Sequence, residues 1–124
     1  FIATQEMPVH NTYKQRLLDA TDVETVILGR SVGQVRRVLQ SPYASALLAD
    51  EETGMTLEHY QERTSETYHI KGALEGNEQD GFMNSGQIAG LIQHLPTVAT
   101  LIEEMMTDAQ QCLNRALLNN FQTQ

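Results

Sequence analysis

The chain of 124 residues has the length of one domain, or of part of a larger one, and is too short for two ordinary domains. Its 16 acidic and 8 basic side chains give a net charge of −8, which argues against a nucleic-acid or anionic-membrane partner. No apolar run is long enough for a transmembrane helix, and the single cysteine excludes an internal disulfide and a cysteine-rich metal site. We expect a cytoplasmic protein. The start at Phe1, without a methionine or a signal peptide, indicates a fragment, a processed chain or a truncated form.

The first thirty residues predict a strand, a helix and a second strand. The apolar residues 1–4 are expected to form the end of a buried strand. Apolar side chains at helical spacing then predict a helix over residues 11–20. Residues 22–28 alternate β-branched side chains, which is typical of a strand.

Residues 31–82 are predicted to be helical, with acidic loops. Ser31 and Gln34 have the spacing of a capping box, and they predict a helix that ends at Ser41-Pro42.

Two further helical segments are predicted in this part of the chain. Residues 44–49 suit one or two helical turns, and Thr56 is a candidate N-cap for a helix over residues 57–67. The acidic runs at residues 50–54 and 75–81 are expected to be solvated loops rather than cation sites.

Residues 83–124 predict a capped helix followed by a long one. Asn84 or Ser85 is expected to cap the first helix. Pro96 suits the first position of the second, an amphipathic helix of about 25 residues with Cys112 in its apolar stripe as a small core residue. A helix of this length packs along a larger body or along a second copy of itself.

No set of residues identifies a catalytic site or a metal site. Four histidines are present: His10, His59, His69 and His94. Their spacing is not that of zinc ligands, and the chain has neither a nucleophile elbow nor a phosphate-binding glycine loop. Ser85, Gly86 and Gln87 stand where a capped helix start would leave backbone N–H groups for a phosphate, a carboxylate or a flat ring. On local evidence, we favour the simpler interpretation, a tight capped turn followed by close helix packing.

Several segments share their order and spacing with one known family. They are FIATQE at residues 1–6, P-x-H-x-x-Y-K at 8–14, residues 22–30, Gly33-x-x-x-Arg37, residues 81–92 with NSGQIAGLI, and the closing helix from Pro96. Together they resemble the C-terminal part of nitronate monooxygenases of the 2-nitropropane dioxygenase type and of the related flavin-dependent enoyl-acyl-carrier-protein reductases. The resemblance extends from Phe1 to about Phe121.

The resemblance implies a mostly helical α+β chain, equivalent to the last strand and the C-terminal helical cap of a (β/α)₈ flavin barrel without the rest of the barrel. It implies FMN as the cofactor, with Ser85, Gly86 and Gln87 against the flavin. It places no catalytic residue in this chain, because the family's catalytic histidine lies in an earlier barrel loop. We therefore expect FMN binding by this chain alone to be weak or absent.

Two functions stay open for what we expect to be a single domain over residues 1–124. The first is a truncated relative of an FMN-dependent oxidoreductase that acts on nitronates or enoyl thioesters, is not competent alone, and has the missing barrel portion as its partner. The second is a stand-alone helical interaction module that self-associates, most simply as a homodimer. A small-molecule site formed between two copies near residues 85–90 is a variant of the second.

Overall fold

The computed structural model describes residues 1–21 and 23–121, and the side chains of residues 1–21 and 23–118. The described elements are α1 (Asn11–Asp19), β1 (Thr25–Leu28), β2 (Arg36–Leu39), α2 (Pro42–Glu52), α3 (Leu57–Arg63), α4 (Glu66–Ala73), a 3₁₀ helix (Gln87–Leu91) and α5 (Val98–Phe121). The described part is thus a mostly helical α+β structure with a two-stranded antiparallel sheet, the class that the sequence predicted. Contacts divide the chain into two compact units. The core unit holds residues 2 and 8–94, and the helix unit holds residues 1, 3–7 and 95–124.

The start of the core unit follows the sequence prediction closely. α1 is present where it was predicted, and the Nδ1 atom of His10 accepts a hydrogen bond from the backbone N–H of Thr12 at 3.1 Å as its N-cap. β1 covers Thr25–Leu28 of the predicted strand. Asp22, the first residue of that prediction, lies outside the described residues.

The helix predicted from Ser31 is wrong, because this segment completes a β-hairpin. β1 pairs with β2 antiparallel, with Thr25 opposite Leu39 and Leu28 opposite Arg36. Gly29 and Gly33 have φ values of +77° and +74° within the connection, a conformation that a helix does not contain.

The connection of the hairpin is also fastened to a neighbouring helix. The carboxylate of Glu51 accepts hydrogen bonds from the backbone N–H of Gly29 and, at 3.1 Å, from the hydroxyl of Ser31. Local hydrogen bonding and glycine conformation therefore outweigh the capping-box spacing of Ser31 and Gln34.

Ser41-Pro42 begins a helix instead of ending one. The Oγ atom of Ser41 accepts a hydrogen bond from the backbone N–H of Ala44 at 3.1 Å, and Pro42 occupies the first turn of α2. The helix then runs through residues 50–52, so the acidic loop predicted there is wrong for these three residues, which form the last turn of α2.

The cap predicted at Thr56 is confirmed, since its Oγ1 atom accepts a hydrogen bond from the backbone N–H of His59 at 3.2 Å. The predicted helix over residues 57–67 is divided into α3 and α4. The break falls at Thr64, whose buried hydroxyl donates to the backbone oxygen of Tyr60 at 2.8 Å.

A hydrophobic core joins the hairpin to α2, α3 and residues 81–83. Its buried members are Leu28, Val38, Tyr43, Ala44, Leu47, Met55, Tyr60 and Phe82. Tyr43 adds polar bonds, since its hydroxyl donates to the backbone oxygen of Arg63 and accepts from Nε of Arg63, both at 2.9 Å. The core thus fixes the sheet edge on which the candidate site lies.

Residues 1–4 form a turn and a bend rather than the predicted strand, and the hydroxyl of Thr4 donates to the backbone oxygen of Phe1 at 2.8 Å. A strand needs a neighbouring strand for its backbone groups. No such neighbour is present for these residues in the described part of the chain.

The long closing helix is confirmed, with 24 residues from Val98. The carboxylate of Glu6 accepts hydrogen bonds from the backbone N–H of Val98 at 3.0 and 3.1 Å. A negative charge at this position stabilises the N-terminus of the helix.

The expectation of a buried Cys112 is wrong, because its side chain is exposed. None of the described helices is long and apolar enough to cross a membrane.

Candidate functional site

Residues 82–87 lie beside β2 and form the candidate site. The backbone N–H of Leu39 donates to the oxygen of Met83 at 2.9 Å, and the N–H of Ser85 donates to the oxygen of Arg37 at 3.2 Å. Val38 and Asn84 therefore pair as in an antiparallel sheet. This pairing extends the hairpin by a short third segment.

The predicted helix cap at Asn84 or Ser85 is wrong for the same reason. Asn84 lies opposite Val38 of β2, the backbone N–H of Ser85 donates to β2, and the hydroxyl of Ser85 donates to the oxygen of Gly86 at 3.4 Å. Gly86 precedes a 3₁₀ helix of five residues that has no side-chain cap bond. This element is too short for the anion-binding helix start that the sequence left open.

Two side chains hold Asn84 in place. The hydroxyl of Tyr13 donates to the backbone oxygen of Asn84, and the side-chain nitrogen Nδ2 of Asn84 lies 3.3 Å from Nε2 of His69. Tyr13 is buried, and burial raises its pKa to about 12. The phenol therefore stays protonated and remains a donor at neutral pH.

His69 and Arg36 contact the aromatic ring of Phe82. The His69 ring stacks on Phe82 with 5.3 Å between ring centroids, and the guanidinium carbon of Arg36 lies 5.0 Å from the Phe82 centroid. Burial lowers the pKa of His69, the charge of Arg36 lowers it further, and the charge of Glu66 opposes the shift. His69 is therefore neutral at pH 7, with Nε2 as the acceptor for the Asn84 amide.

Sequence reasoning missed the role of His69 and Arg36. It treated the histidines as isolated, and the contact of His69 with Asn84 joins residues that are 15 apart on different elements. No spacing rule connects them. A sequence signal that could have located this cluster is Phe82-Met83-Asn84, an apolar pair followed by a polar residue that leads into the glycine-containing segment.

The predicted site residues Ser85, Gly86 and Gln87 are brought together at the edge of this cluster. Gly86 and Gln87 are exposed, and a Cβ atom at Gly86 would meet nothing within 4 Å. Among the described residues, neither the backbone N–H of Gly86 nor that of Gln87 has a hydrogen-bond partner. Packing within this chain therefore does not require glycine at position 86.

Apolar side chains flank this open segment. Ile88 is 67% exposed and Leu91 is 73% exposed, whereas Ala89 is buried. The segment thus offers two backbone donors beside an apolar surface, an arrangement that suits a flat, partly apolar group better than a phosphate. In the described part of the chain, no three histidine, cysteine or acidic side chains are placed to hold a metal ion.

A hairpin, four short helices and an open glycine-containing segment at the sheet edge define a helix-rich α+β fold, the class that the sequence predicted. The chain belongs to the nitronate monooxygenase family, whose family model matches residues 1–108.

Individual proteins support this relationship. The chain is 30% identical over 89 residues to (3aS,4S,5R,7aS)-5-hydroxy-7a-methyl-1-oxo-octahydro-1H-indene-4-carboxyl-CoA dehydrogenase of Mycobacterium tuberculosis, a match that covers 64% of this chain and 24% of the relative. Its structure is similar to that of FabK from Thermotoga maritima, with a TM-score of 0.80 and 26% identity over 93% of this chain and 36% of FabK. An M276A mutant of the same FabK shares the fold, with a TM-score of 0.72, 24% identity and coverage of 93% and 33%. The chain thus spans about a third of FabK and about a quarter of the mycobacterial dehydrogenase.

Proposed function

We propose that this chain is the C-terminal portion of an FMN-dependent oxidoreductase, and that Ser85, Gly86 and Gln87 lie against the flavin in the complete protein. The observation that carries the proposal is the open segment at Gly86, which falls inside the part matched by the nitronate monooxygenase family model. The resemblance of the NSGQIAGLI segment to flavin-dependent enzymes indicates that the cofactor is FMN.

The residues present fit the ring system of a flavin, but they do not form a phosphate cradle. The exposed backbone N–H groups of Gly86 and Gln87 suit the polar edge of the ring, and the open space at Gly86 permits close approach. Asn84, held by Tyr13 and His69, fixes the segment that carries these donors. When bound, FMN would supply electron transfer, and this chain would supply orientation.

We infer that this portion is not catalytically competent alone. The chain spans 36% of FabK, so most of the contacts of a cofactor in a protein of that length would come from elsewhere. The neutral His69 is engaged with Asn84 and Phe82, which supports a structural role for it.

The proposed substrates are nitronates or enoyl thioesters, the two classes that the resemblance implies. The mycobacterial relative is named for a carboxyl-CoA substrate, which favours the thioester class.

Titration of the purified chain with FMN, followed by flavin fluorescence, tests the proposal. We expect no saturable change at micromolar FMN for the chain alone. Saturable binding at micromolar FMN would contradict the inference that this chain carries only part of the flavin site. The Gly86→Val variant would then be informative, because loss of that binding would locate it at this segment. The φ of −93° at position 86 accommodates a side chain, so the variant is expected to fold.

A specific observation also favours self-association as a second candidate function. The apolar stripe of α5 is exposed, with Met106 66% and Leu113 61% accessible. A row of exposed large apolar side chains along one helix face is typical of interaction sites. Molar mass from light scattering on the titration sample distinguishes a dimer from a monomer.

A further inference from the structure

α5 carries a continuous apolar face that is exposed along most of its length. Its large exposed members are Ile102, Met105, Met106, Leu113 and Leu117. Between them, at heptad core spacing, lie the small residues Ala109, Cys112 and Ala116. We call these eight residues the α5 face.

We propose that the α5 face pairs with the α5 face of a second copy in antiparallel orientation, with Ala109 of one copy opposite Cys112 of the other. In this register Met105 faces Ala116, so that a large side chain meets a small one on either side of the centre. Met106 of one helix then flanks Leu113 of the other. Small residues at the centre permit a close approach of the two helix axes, and the large residues fill the space on either side.

Charge selects this register over its neighbours. Asp108 and Arg115 are seven residues apart, and both follow the same edge of the α5 face. In the proposed register, Asp108 of each copy lies beside Arg115 of the other, which forms two ion pairs related by the two-fold axis. Among the described side chains, Arg115 donates a weak 3.5 Å hydrogen bond to Gln111, and the side chains of Asp108 and Arg115 are both exposed.

The alternative registers place like charges together. A shift of seven residues in one direction brings Asp108 beside Asp108 of the second copy, and a shift in the other direction brings Arg115 beside Arg115. A parallel pair would instead place Cys112 beside Cys112 and put Asp108 and Arg115 on opposite sides of the seam, so that neither ion pair forms. The antiparallel arrangement centred between Ala109 and Cys112 is the one that satisfies both the apolar and the charged positions.

The pairing adds geometry to the self-associating candidate function and is independent of the flavin proposal. The family model ends at residue 108, so Cys112, Leu113 and Arg115 lie outside the matched part. Failure of the flavin proposal is seen in the fluorescence titration, whereas failure of the pairing is seen in the molar mass.

Charge reversal on the full chain tests the register, with the dimer dissociation constant measured by sedimentation equilibrium at low ionic strength. Asp108→Arg and Arg115→Asp should each weaken dimerisation about 10-fold, because each replaces two exposed ion pairs by two like-charge contacts. The double variant should restore the wild-type value to within about 3-fold, and added salt should reduce all the differences. Glu103→Arg is the control, because Glu103 lies about 140° around the helix from Asp108, and it should leave the constant unchanged.

Disulfide trapping supplies a second measurement. The Ala109→Cys variant should form a covalent dimer under mild oxidation, because the introduced thiol then faces Cys112 of the second copy. The wild-type chain, with Cys112 alone, should not. A monomer at all concentrations, a double variant as weak as the single ones, or equally efficient trapping of the wild-type chain would overturn the proposal.

Discussion

The side-chain nitrogen Nδ2 of Asn84 and the ring nitrogen Nε2 of His69 lie 3.3 Å apart and connect α4 to the segment that carries Gly86. An amide nitrogen only donates hydrogen bonds, so Nε2 accepts and the ring proton resides on Nδ1. A protonated His69 would present a donor to a donor. With the Asn84 amide in this orientation, the contact requires the neutral imidazole and therefore depends on pH.

The stability of the chain should fall in mildly acidic solution, and His69 should account for part of the loss. Burial and the Arg36 charge lower the pKa of His69 below its ordinary value of 6.5, so the unfolded chain binds the proton more readily than the folded chain. This contribution to stability is complete above about pH 6.5 and is lost as the pH falls through the pKa of the folded state.

Urea unfolding at about pH 7.5 and about pH 5.5 measures this dependence. The His69→Gln variant should lose less stability between the two pH values than the wild-type chain does. His59→Gln is the matched control, because His59 is exposed on α3. An unchanged pH dependence in His69→Gln would contradict the assignment.

The caps of two neighbouring helices should differ in energetic importance. Ser41→Ala removes the bond from the backbone N–H of Ala44 at the start of α2, and should lower the free energy of unfolding by about 1 kcal/mol. Ser65 occupies the equivalent position of α4 but makes no side-chain cap bond. Ser65→Ala should therefore cost less than about 0.5 kcal/mol. Equal losses in urea unfolding would show that the observed cap bond has no energetic role.

The elements that were predicted correctly depend on local rules. α1 and α5 follow from apolar periodicity, and Thr56 caps α3 as its side-chain chemistry indicates. Ser41 shows the limit of such rules, because serine before proline suits both the end of one helix and the start of the next. Ser41 begins a helix here because the residues before it belong to strand β2 and are extended, so there is no earlier helix for it to end.

The sequence predicts which residues form the candidate site but not the backbone conformation that they adopt. Ser85, Gly86 and Gln87 were identified, yet the helix expected after Asn84 is replaced by pairing with Val38, a contact between distant parts of the chain. Periodicity likewise predicts the apolar face of α5 but not whether anything covers it, which is why Cys112 was expected to be buried. Long-range pairing and burial are properties of the folded chain that local patterns do not contain.

Removal of the Tyr43 hydroxyl should destabilise the core unit. The Tyr43→Phe variant loses the bond to the backbone oxygen of Arg63 and the bond from Nε of Arg63, and leaves both groups without these partners. We expect a loss of about 1–3 kcal/mol in the free energy of unfolding. Tyr68→Phe is the control, because Tyr68 stacks on Tyr43 with 5.4 Å between centroids and keeps this contact as phenylalanine. A loss as large in Tyr68→Phe would show that ring packing, rather than the hydroxyl, dominates.

The two glycines of the hairpin connection allow backbone strain to be separated from steric overlap. Both have positive φ, +77° at Gly29 and +74° at Gly33, so alanine at either position incurs the left-handed penalty of about 1–2 kcal/mol. A Cβ at Gly29 would also lie 2.1 Å from the backbone oxygen of Gln34 and 2.6 Å from the Tyr60 ring, whereas a Cβ at Gly33 meets nothing within 4 Å. Gly29→Ala should therefore lower the free energy of unfolding by clearly more than Gly33→Ala does, by about 1–3 kcal/mol beyond the shared penalty. Urea unfolding of the two variants measures this difference directly, and equal losses would mean that the connection relaxes away from Tyr60 without cost.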